Sequence, residues 1–286
     1  MKLGLTEKVS YGLGAVGKDM VYMLSASYVL YYFQNVLGVN AIAMGIILMA
    51  ARVFDAFNDP IMGVIVAKTK TRWGKFRPWL MIGTVTNAII LFLMFACPPS
   101  LDGKGLVAYA AVTYILWGVT YTMMDIPYWS MIPAFTDSGK DRENLTTLAR
   151  SCAGVGSALV TIFTVALVSK IGKLIAGSNA SAKAVEIAGF KWFALIIAIL
   201  FIVFIIITCV NIKEQATVDM ESPSVGQMFK ALITNDQAMT IVLAIVLINT
   251  SIYITSKYSF LLILLQVLHS SHAKSFFPSM IDCASK

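Results

Sequence analysis

Two carboxylates recur at helical spacing in one apolar stretch of the sequence, residues 41–67. Arg52, Asp55 and Asp59 stand at positions i, i+3 and i+7, which places them on one face of a helix. Two carboxylates four residues apart repel each other unless a cation lies between them. Asn58 adds a neutral oxygen beside them, and hard oxygen ligands suit Na⁺, Li⁺ or H⁺. The stretch therefore predicts a cation site.

A second apolar stretch, residues 105–134, combines a carboxylate with aromatic rings. Tyr121, Asp125 and Trp129 stand at i, i+4 and i+8, and Thr122 precedes Asp125 by three residues. A carboxylate that accepts hydroxyl protons beside a flat aromatic face is the usual chemistry of sugar recognition. This helix face therefore predicts a sugar site.

The composition indicates that the helices positioning these residues lie in a membrane. Of 286 residues, 58% are hydrophobic and 13% are charged, and the mean hydropathy is +0.78. Soluble chains are about 25% charged, so a soluble enzyme is excluded. The net charge of +7 is spread over loops rather than gathered in a basic stripe, which argues against nucleic-acid binding. A spanning helix needs about 20 apolar residues, and roughly seven such helices are predicted, at 10–37, 41–67, 78–97, 105–134, 146–169, 190–212 and from Gln237 onward.

Lysine and arginine predict the orientation of these helices. They are concentrated at the N-terminus, in residues 68–77, in the 135–145 loop and in the 213–236 loop. Such an excess marks the cytoplasmic side, so we expect a multi-pass protein of the inner membrane with a cytoplasmic N-terminus. Four lysines between residues 170 and 191 weaken this bias without reversing it.

The predicted helices differ in how much charge they carry. Lipid-facing charges cost a few kcal/mol each, about 20 kcal/mol for the whole set, so these side chains must face one another or a watery cavity. The third and sixth helices carry none, which gives the pattern charged, charged, clean, twice over. Two three-helix repeats of this kind build each six-helix half of a major facilitator transporter; the alternative is single buried ion pairs that hold a bundle together. The ionisable residues within the predicted spans are Lys18, Asp19, Arg52, Asp55, Asp59, Asp125 and Arg150.

Two motifs point to other chemistry. GLGAVG, with Gly12, Gly14 and Gly17, matches the dinucleotide pattern GxGxxG, but no strand precedes it, so it predicts close helix packing instead. DAFND, from Asp55 to Asp59, resembles the diphosphate–Mg²⁺ motif of intramembrane prenyltransferases. Those enzymes have a second aspartate-rich motif that this sequence lacks, so we predict that the protein is not an enzyme.

The cysteines and histidines add no site. The cysteines lack metal or redox spacing and are interpreted as small apolar residues. Both histidines lie near the C-terminus, away from any carboxylate in the sequence. The residues are Cys97, Cys152, Cys209, Cys283, His269 and His272.

Four motifs in order resemble those of one transporter family. GLGAVGKDMVY, RVFDAFNDPIMG, TRWGKFRPW and YTMMDIPYWSMIP are similar to segments of the glycoside–pentoside–hexuronide:cation symporters, and among them of the melibiose (Na⁺/galactoside) permeases. The resemblance covers about residues 8–256. It implies an all-α major facilitator fold, of which this chain holds the N-terminal six-helix half and a seventh helix. It also implies symport, by alternating access, of a galactoside such as melibiose with Na⁺, Li⁺ or H⁺.

The resemblance also assigns roles by position. Arg52 would order the charges of the second helix, and RWGKFRP together with Arg142 resembles the family's cytoplasmic gating loops. The expected partners are a small sugar, a monovalent cation and the lipid bilayer, with no cofactor, obligate protein partner or nucleic acid. The sugar-binding residues would be Lys18, Asp19, Tyr121, Asp125, Trp129 and Arg150, and the cation-binding residues Asp55, Asn58, Asp59 and Thr122, with Asp55 and Asp59 as the Na⁺ ligands.

The sequence departs from the family pattern toward its C-terminus. Members of the family resemble twelve-helix proteins, whereas this chain stops after the seventh helix, and from Lys257 onward the likeness is expected to end. The predicted organisation is a helical bundle over 1–212, a cytoplasmic loop over 213–236, and a helix with a divergent tail over 237–286. A truncated or frameshifted remnant that does not accumulate sugar is the alternative to a working symporter.

Overall fold

A computed structural model describes residues 4–136, 139–177, 179–212, 214, 226, 230 and 233–269, without the side chains of 252, 253 and 256–269. Within these ranges the chain is helical, and its only β-type pairing is an isolated bridge between Thr71 and Gly74. The elements are α1 (Leu5–Tyr31), a π-helical turn (Tyr32–Val36), α2 (Ala41–Lys68), α3 (Arg77–Phe95), α4 (Gly103–Ser130), the short α5 (Ile132–Phe135), α6 (Gly139–Ala176), α7 (Ala182–Asn211) and α8 (Asp236–His269).

The seven long predicted helices are all present, which confirms the all-α class. α6 and α7 begin seven or eight residues earlier than hydropathy predicts, because their first turns are polar. Ser181 caps α7 by accepting a hydrogen bond from the Ala184 amide, as an N-cap serine does. The predicted tail, with His272 and Cys283, lies outside the described residues, as does most of the 213–236 loop.

Five helical segments are long and apolar enough to cross a membrane: Ala41–Lys68, Arg77–Phe95, Gly103–Phe135, Gly139–Ala176 and Ala182–Asn211. The first predicted span, α1, does not reach this apolar level because it carries Lys18, Asp19 and several tyrosines. In α8, which belongs to a separate compact unit, the apolar part is the shorter Asp236–Ser251.

The packing of the first unit, residues 1–222, has an internal repeat. α1 packs against α6 and α7, α4 packs against α2 and α3, and α3 packs against α7. If α1, α2 and α3 correspond to α4, α6 and α7, the contacts of α1 with α6 and α7 correspond to those of α4 with α2 and α3. The α6–α7 contact departs from this repeat, since α2 and α3 do not pack against each other to a comparable extent. This arrangement is the one expected of two three-helix repeats.

The glycines of GLGAVG pack α1 against its neighbours. A Cβ at Gly12 would lie 2.9 Å from the Cys152 sulfur of α6, and one at Gly14 would lie 2.5 Å from the Thr208 hydroxyl of α7. A Cβ at Gly17 would lie 3.1 Å from the Phe204 ring of α7. The prediction of close helix packing at this motif is confirmed.

Helices α3 and α7, the third of each repeat, present apolar stripes outward. The exposed side chains recur every three or four residues, which is one face of each helix. A lipid-facing position, as predicted for these two helices, accounts for such stripes in a membrane protein. They are Ile82, Val85, Ile89 and Leu93 on α3, and Ile196, Ile199, Val203, Ile206 and Val210 on α7.

Candidate functional site

The ammonium group of Lys18 is the centre of the polar cluster between α1 and α4. The Lys18 side chain is only 5% exposed. Its Nζ lies 2.7 Å from Asp125 Oδ1, 3.4 Å from Asp19 Oδ2 and 3.2 Å from the Tyr121 hydroxyl. Two carboxylates and a hydroxyl therefore compensate a charge that would be costly if buried alone.

Trp129 lies one helical turn beyond Asp125 and contacts both cations of the cluster. Its indole N–H donates to Asp125 Oδ1 over 3.2 Å. The Arg150 guanidinium carbon is 4.1 Å from the centre of its ring, and Lys18 Nζ is 5.1 Å from it. Arg150 thereby joins α6 to the cluster through a cation–π contact.

The six residues predicted to bind sugar are thus brought together by three helices. The Asp19 and Asp125 side chains are 20% and 31% exposed, so a ligand can reach both carboxylates. The hydrogen bonds that Asp125 accepts from Lys18 and Trp129 both end on Oδ1. Its Oδ2 remains an acceptor for a ligand hydroxyl.

The residues predicted to bind a cation lie where α2 packs against α4. The Thr122 hydroxyl donates to Asp59 Oδ1 over 2.9 Å. Arg52 and Asp55 form an ion pair with an N–O distance of 3.7 Å. Asp55 Oδ1 lies 3.0 Å from the position of a Cβ at Gly118 of α4, so the absence of a side chain at Gly118 makes room for this carboxylate.

Asn58 is half-buried beside these carboxylates. Its side-chain nitrogen is buried without a hydrogen-bond partner, and leaving such a donor unpaired costs about 1–3 kcal/mol. A half-turn about χ2 presents the amide oxygen in its place. The role in cation binding that the sequence predicts for Asn58 stays a prediction.

The acidic residues of α2 do not form a polydentate metal cluster. Among the described residues, no group of three or more His, Cys, Asp or Glu side chains is arranged to hold a metal ion. Asp55 and Asp59 of the DAFND motif therefore have no third such side chain arranged with them in the part of the chain that the structure describes.

One contact that sequence reasoning missed fastens α1 to α4 near the cluster. The Tyr11 hydroxyl donates to the Tyr128 carbonyl, and the Tyr128 hydroxyl donates to the Tyr11 carbonyl, each over 2.5 Å. The rings stack with their centres 4.5 Å apart, and Lys18 Nζ is 5.9 Å from the Tyr128 ring. Tyr128 follows Asp125 by three residues, which places it on the same face of α4.

The predicted gating loop, RWGKFRP, is held by an acidic side chain just after α7. The carboxylate of Glu214 accepts hydrogen bonds from the amides of Lys75, Phe76 and Arg77, at 2.6, 3.0 and 2.8 Å. These amides lie at the N-terminus of α3, where the helix dipole and the free N–H groups favour a negative charge. The Arg77 guanidinium in turn donates to the carbonyl of Cys209.

Arg142, the other residue predicted to gate, lies in the first turn of α6. Its Nε donates to the Thr136 hydroxyl over 3.2 Å, which ties α6 to the end of the α4–α5 segment. Among the described residues, no hydrogen bond or ion pair joins Arg142 to the 69–76 loop.

Comparison with known proteins identifies the family to which the chain belongs. Residues 10–281 match the MFS/sugar transport protein family. The chain belongs to this family. The match continues beyond Lys257, where the sequence analysis expected the likeness to end, so that expectation is wrong. Together with the spanning helices, membership makes the chain a multi-pass membrane protein of the major facilitator type.

Individual relatives are transporters. YicJ of Escherichia coli (strain K12), an inner membrane symporter, is 33% identical over 171 residues, 59% of this chain and 37% of YicJ. The isoprimeverose transporter of Lactiplantibacillus pentosus is 30% identical over 232 residues, 80% of this chain and 47% of that protein. The lactose permease of Lactobacillus helveticus is 29% identical over 267 residues, 88% of this chain and 41% of the permease.

These matches bear on one prediction and show how much of each relative the chain covers. The relatives are symporters, transporters and permeases rather than enzymes, which confirms the prediction against a prenyltransferase. The chain spans less than half the length of each of these curated relatives.

Proposed function

We propose that this chain carries the sugar-binding and cation-binding residues of a sugar–cation symporter. The observation that carries the proposal is the pair of neighbouring polar clusters on α4. One is the Lys18–Asp125 cluster with its aromatic rings, and the other is the Asp59–Thr122 contact with α2.

The charges of the two clusters favour different ligands. In the first, Lys18 and Arg150 balance Asp19 and Asp125, so the cluster is neutral and suits an uncharged ligand rich in hydroxyl groups. Hydroxyls can donate to the carboxylates, and each such charge-assisted bond contributes about 1.5–3 kcal/mol. The Trp129 ring offers an apolar face for the C–H side of a sugar.

In the second cluster one negative charge is left over. Arg52 compensates Asp55, whereas Asp59 has a hydroxyl partner, Thr122, and no ion-pair partner among the described residues. One monovalent cation would restore neutrality, and Asn58 would supply a further oxygen. Na⁺, Li⁺ and H⁺ all meet this requirement, and the resemblance of the motifs to those of Na⁺/galactoside permeases is the ground on which we propose Na⁺.

The sugar we propose is a galactoside such as melibiose. The motifs resemble those of the melibiose permeases, and two of the relatives are lactose permeases, lactose being itself a galactoside. The lysine and arginine bias of the loops supports a cytoplasmic N-terminus, and the likeness to YicJ, an inner membrane symporter, supports a place in the inner membrane.

Helix α4 offers a direct route for coupling. Thr122, which contacts Asp59, lies one helical turn before Asp125, which contacts Lys18. A cation that draws the Thr122 hydroxyl toward itself would shift α4 at the sugar cluster. Coupling between two such sites must be reciprocal, and alternating access would then move both ligands together.

Binding of a labelled galactoside to the purified chain in lipid nanodiscs tests the sugar site. We expect Asp19→Ala to weaken binding at least about tenfold, since charge-assisted hydrogen bonds are lost. Trp129→Ala removes the ring face and should weaken aryl galactosides as well as the sugar itself. Asp102→Asn, at the exposed start of α4, is the matched carboxylate control and should bind as the parent does. Parent-like affinity of both site variants would contradict the sugar assignment.

A further inference from the structure

A cavity of about 570 Å³ lies at one end of the bundle, away from the polar clusters. It is bounded by the loop that follows α3, the start of α4 and the first turns of α7. Leu37, Leu101, Leu106 and Ile187 give it apolar walls. Because α3 ends and α4 and α7 begin around it, it lies where these spanning helices leave the apolar part of the bilayer.

Two lysines of α7, Lys183 and Lys191, also line this cavity. With Ile187 they occupy positions i, i+4 and i+8, one face of the helix. Among the described residues neither lysine has a carboxylate within ion-pair distance. The nearest acidic side chain along α7, Glu186, accepts a hydrogen bond from the Tyr31 hydroxyl over 2.9 Å.

The lining excludes a second sugar site, because no carboxylate lines the cavity to accept hydroxyl protons. Apolar walls beside two lysines that form no ion pair among the described residues fit a molecule with an anionic head and an apolar tail instead. Basic pockets between spanning helices bind anionic lipid headgroups in this way on the cytoplasmic side of membranes, and the same attraction between charges applies at this end of the bundle, which the predicted orientation places at the opposite face. Trp192, exposed beside Lys191, adds an aromatic side chain of the type enriched at the membrane interface.

We propose that this cavity binds an anionic phospholipid, with the phosphate at Lys183 and Lys191 and the start of an acyl chain against Leu101, Leu106 and Ile187. Cys97, which lies just beyond the end of α3, also lines the cavity, and the alkylation rate of its thiol can report whether the cavity is occupied. Burial raises the pKa of the Cys97 thiol, which slows its alkylation, and a bound lipid should shield it further.

The test uses the full chain with Cys152, Cys209 and Cys283 replaced by alanine, in nanodiscs of phosphatidylcholine with or without phosphatidylglycerol. The quantity measured is the ratio of Cys97 alkylation rates by a neutral maleimide in the two lipid mixtures. We expect phosphatidylglycerol to slow alkylation several-fold in this background. Each lysine near the surface strengthens binding of anionic lipid by about 1 kcal/mol, so the two together contribute about thirtyfold. Lys183→Gln/Lys191→Gln should therefore bring the ratio of Cys97 alkylation rates in the two lipid mixtures close to one.

Lys170→Gln/Lys173→Gln, on α6 outside the cavity lining, is the matched control and should keep the slowing. It also corrects for the general effect of an anionic membrane surface on thiol reactivity. Equal slowing in both double variants, or no slowing in the parent background, would overturn the proposal. Slowing by inorganic phosphate in phosphatidylcholine alone would also overturn it, since the cavity would then be an ion site and not a lipid site.

Discussion

Replacing Glu214 with glutamine should loosen the loop that precedes α3. The carboxylate accepts three amide hydrogen bonds from residues 75–77, and Oε2 accepts the shortest, from Lys75 at 2.6 Å. Glutamine keeps one acceptor oxygen but replaces Oε2 with an NH₂ group, which cannot accept from the Lys75 amide. Loss of one hydrogen bond to a charged group costs about 1.5–3 kcal/mol, and loss of the charge at the helix start about 0.3–1 kcal/mol more.

The expected cost is therefore about 2–4 kcal/mol, and it should appear as local opening next to Cys209. This cysteine is buried, and its carbonyl accepts from Arg77 at the start of α3. Every 1.4 kcal/mol is a factor of ten in an equilibrium, so the alkylation rate of Cys209 should rise at least about tenfold. The assay uses a variant in which Cys209 is the only cysteine.

Glu143→Gln is the matched control, since Glu143 is an exposed carboxylate on the outer face of α6. We expect it to leave Cys209 as protected as in the parent. Alkylation of Cys209 at the parent rate in Glu214→Gln would refute the reasoning, because the carboxylate would then contribute nothing to holding the loop.

Two further substitutions probe the contacts of α4. In Gly118→Ala the new methyl group would lie 3.0 Å from Asp55 Oδ1, so this carboxylate must move aside. The Na⁺ concentration that half-saturates stimulation of galactoside binding should then rise several-fold, and an unchanged value would contradict a role in cation binding for the present position of the Asp55 carboxylate. Tyr128→Phe keeps the stacked ring but removes the hydroxyl hydrogen bond to the Tyr11 carbonyl, which still accepts the amide one turn along α1. The free energy of unfolding, measured by chemical denaturation in detergent, should fall by about 0.5–1.5 kcal/mol, and parent-like stability would show that the contact is energetically neutral.

Much of the architecture could be predicted because it depends on local patterns. Apolar runs long enough to span a bilayer locate the helices, and charge at positions such as Asp55 and Asp125 distinguishes the helices that carry the polar clusters from α3 and α7, which carry exposed apolar stripes. The polar first turns of α6 and α7 escape a prediction based on hydropathy, since they are helical for reasons of capping and propensity. Likewise α1 is less apolar than a typical span because Lys18 and Asp19 lie in its middle.

What could not be predicted depends on contacts between distant residues. The Tyr11–Tyr128 contact joins residues 117 positions apart, and the Glu214–Phe76 contact joins residues 138 apart. No local period relates such positions, and nothing in the sequence near Glu214 distinguishes it from a solvated loop residue. The stacking of Arg150 on Trp129 likewise requires the crossing of α4 and α6 to be known.

The central claim, that α2 and α4 bind the cation that assists sugar binding at α1 and α4, is tested most directly by the Na⁺ dependence of galactoside affinity. The measurement compares the parent chain with Asp59→Cys in nanodiscs, with Na⁺ or with choline as the only added cation. We predict that Na⁺ strengthens galactoside binding to the parent by about 5–150-fold, which corresponds to the coupling free energy of about 1–3 kcal/mol that is typical of two linked sites. Asp59→Cys should bind galactoside in both media with the affinity that the parent shows in choline. Undiminished Na⁺ stimulation in Asp59→Cys, or a parent indifferent to Na⁺, would contradict the account.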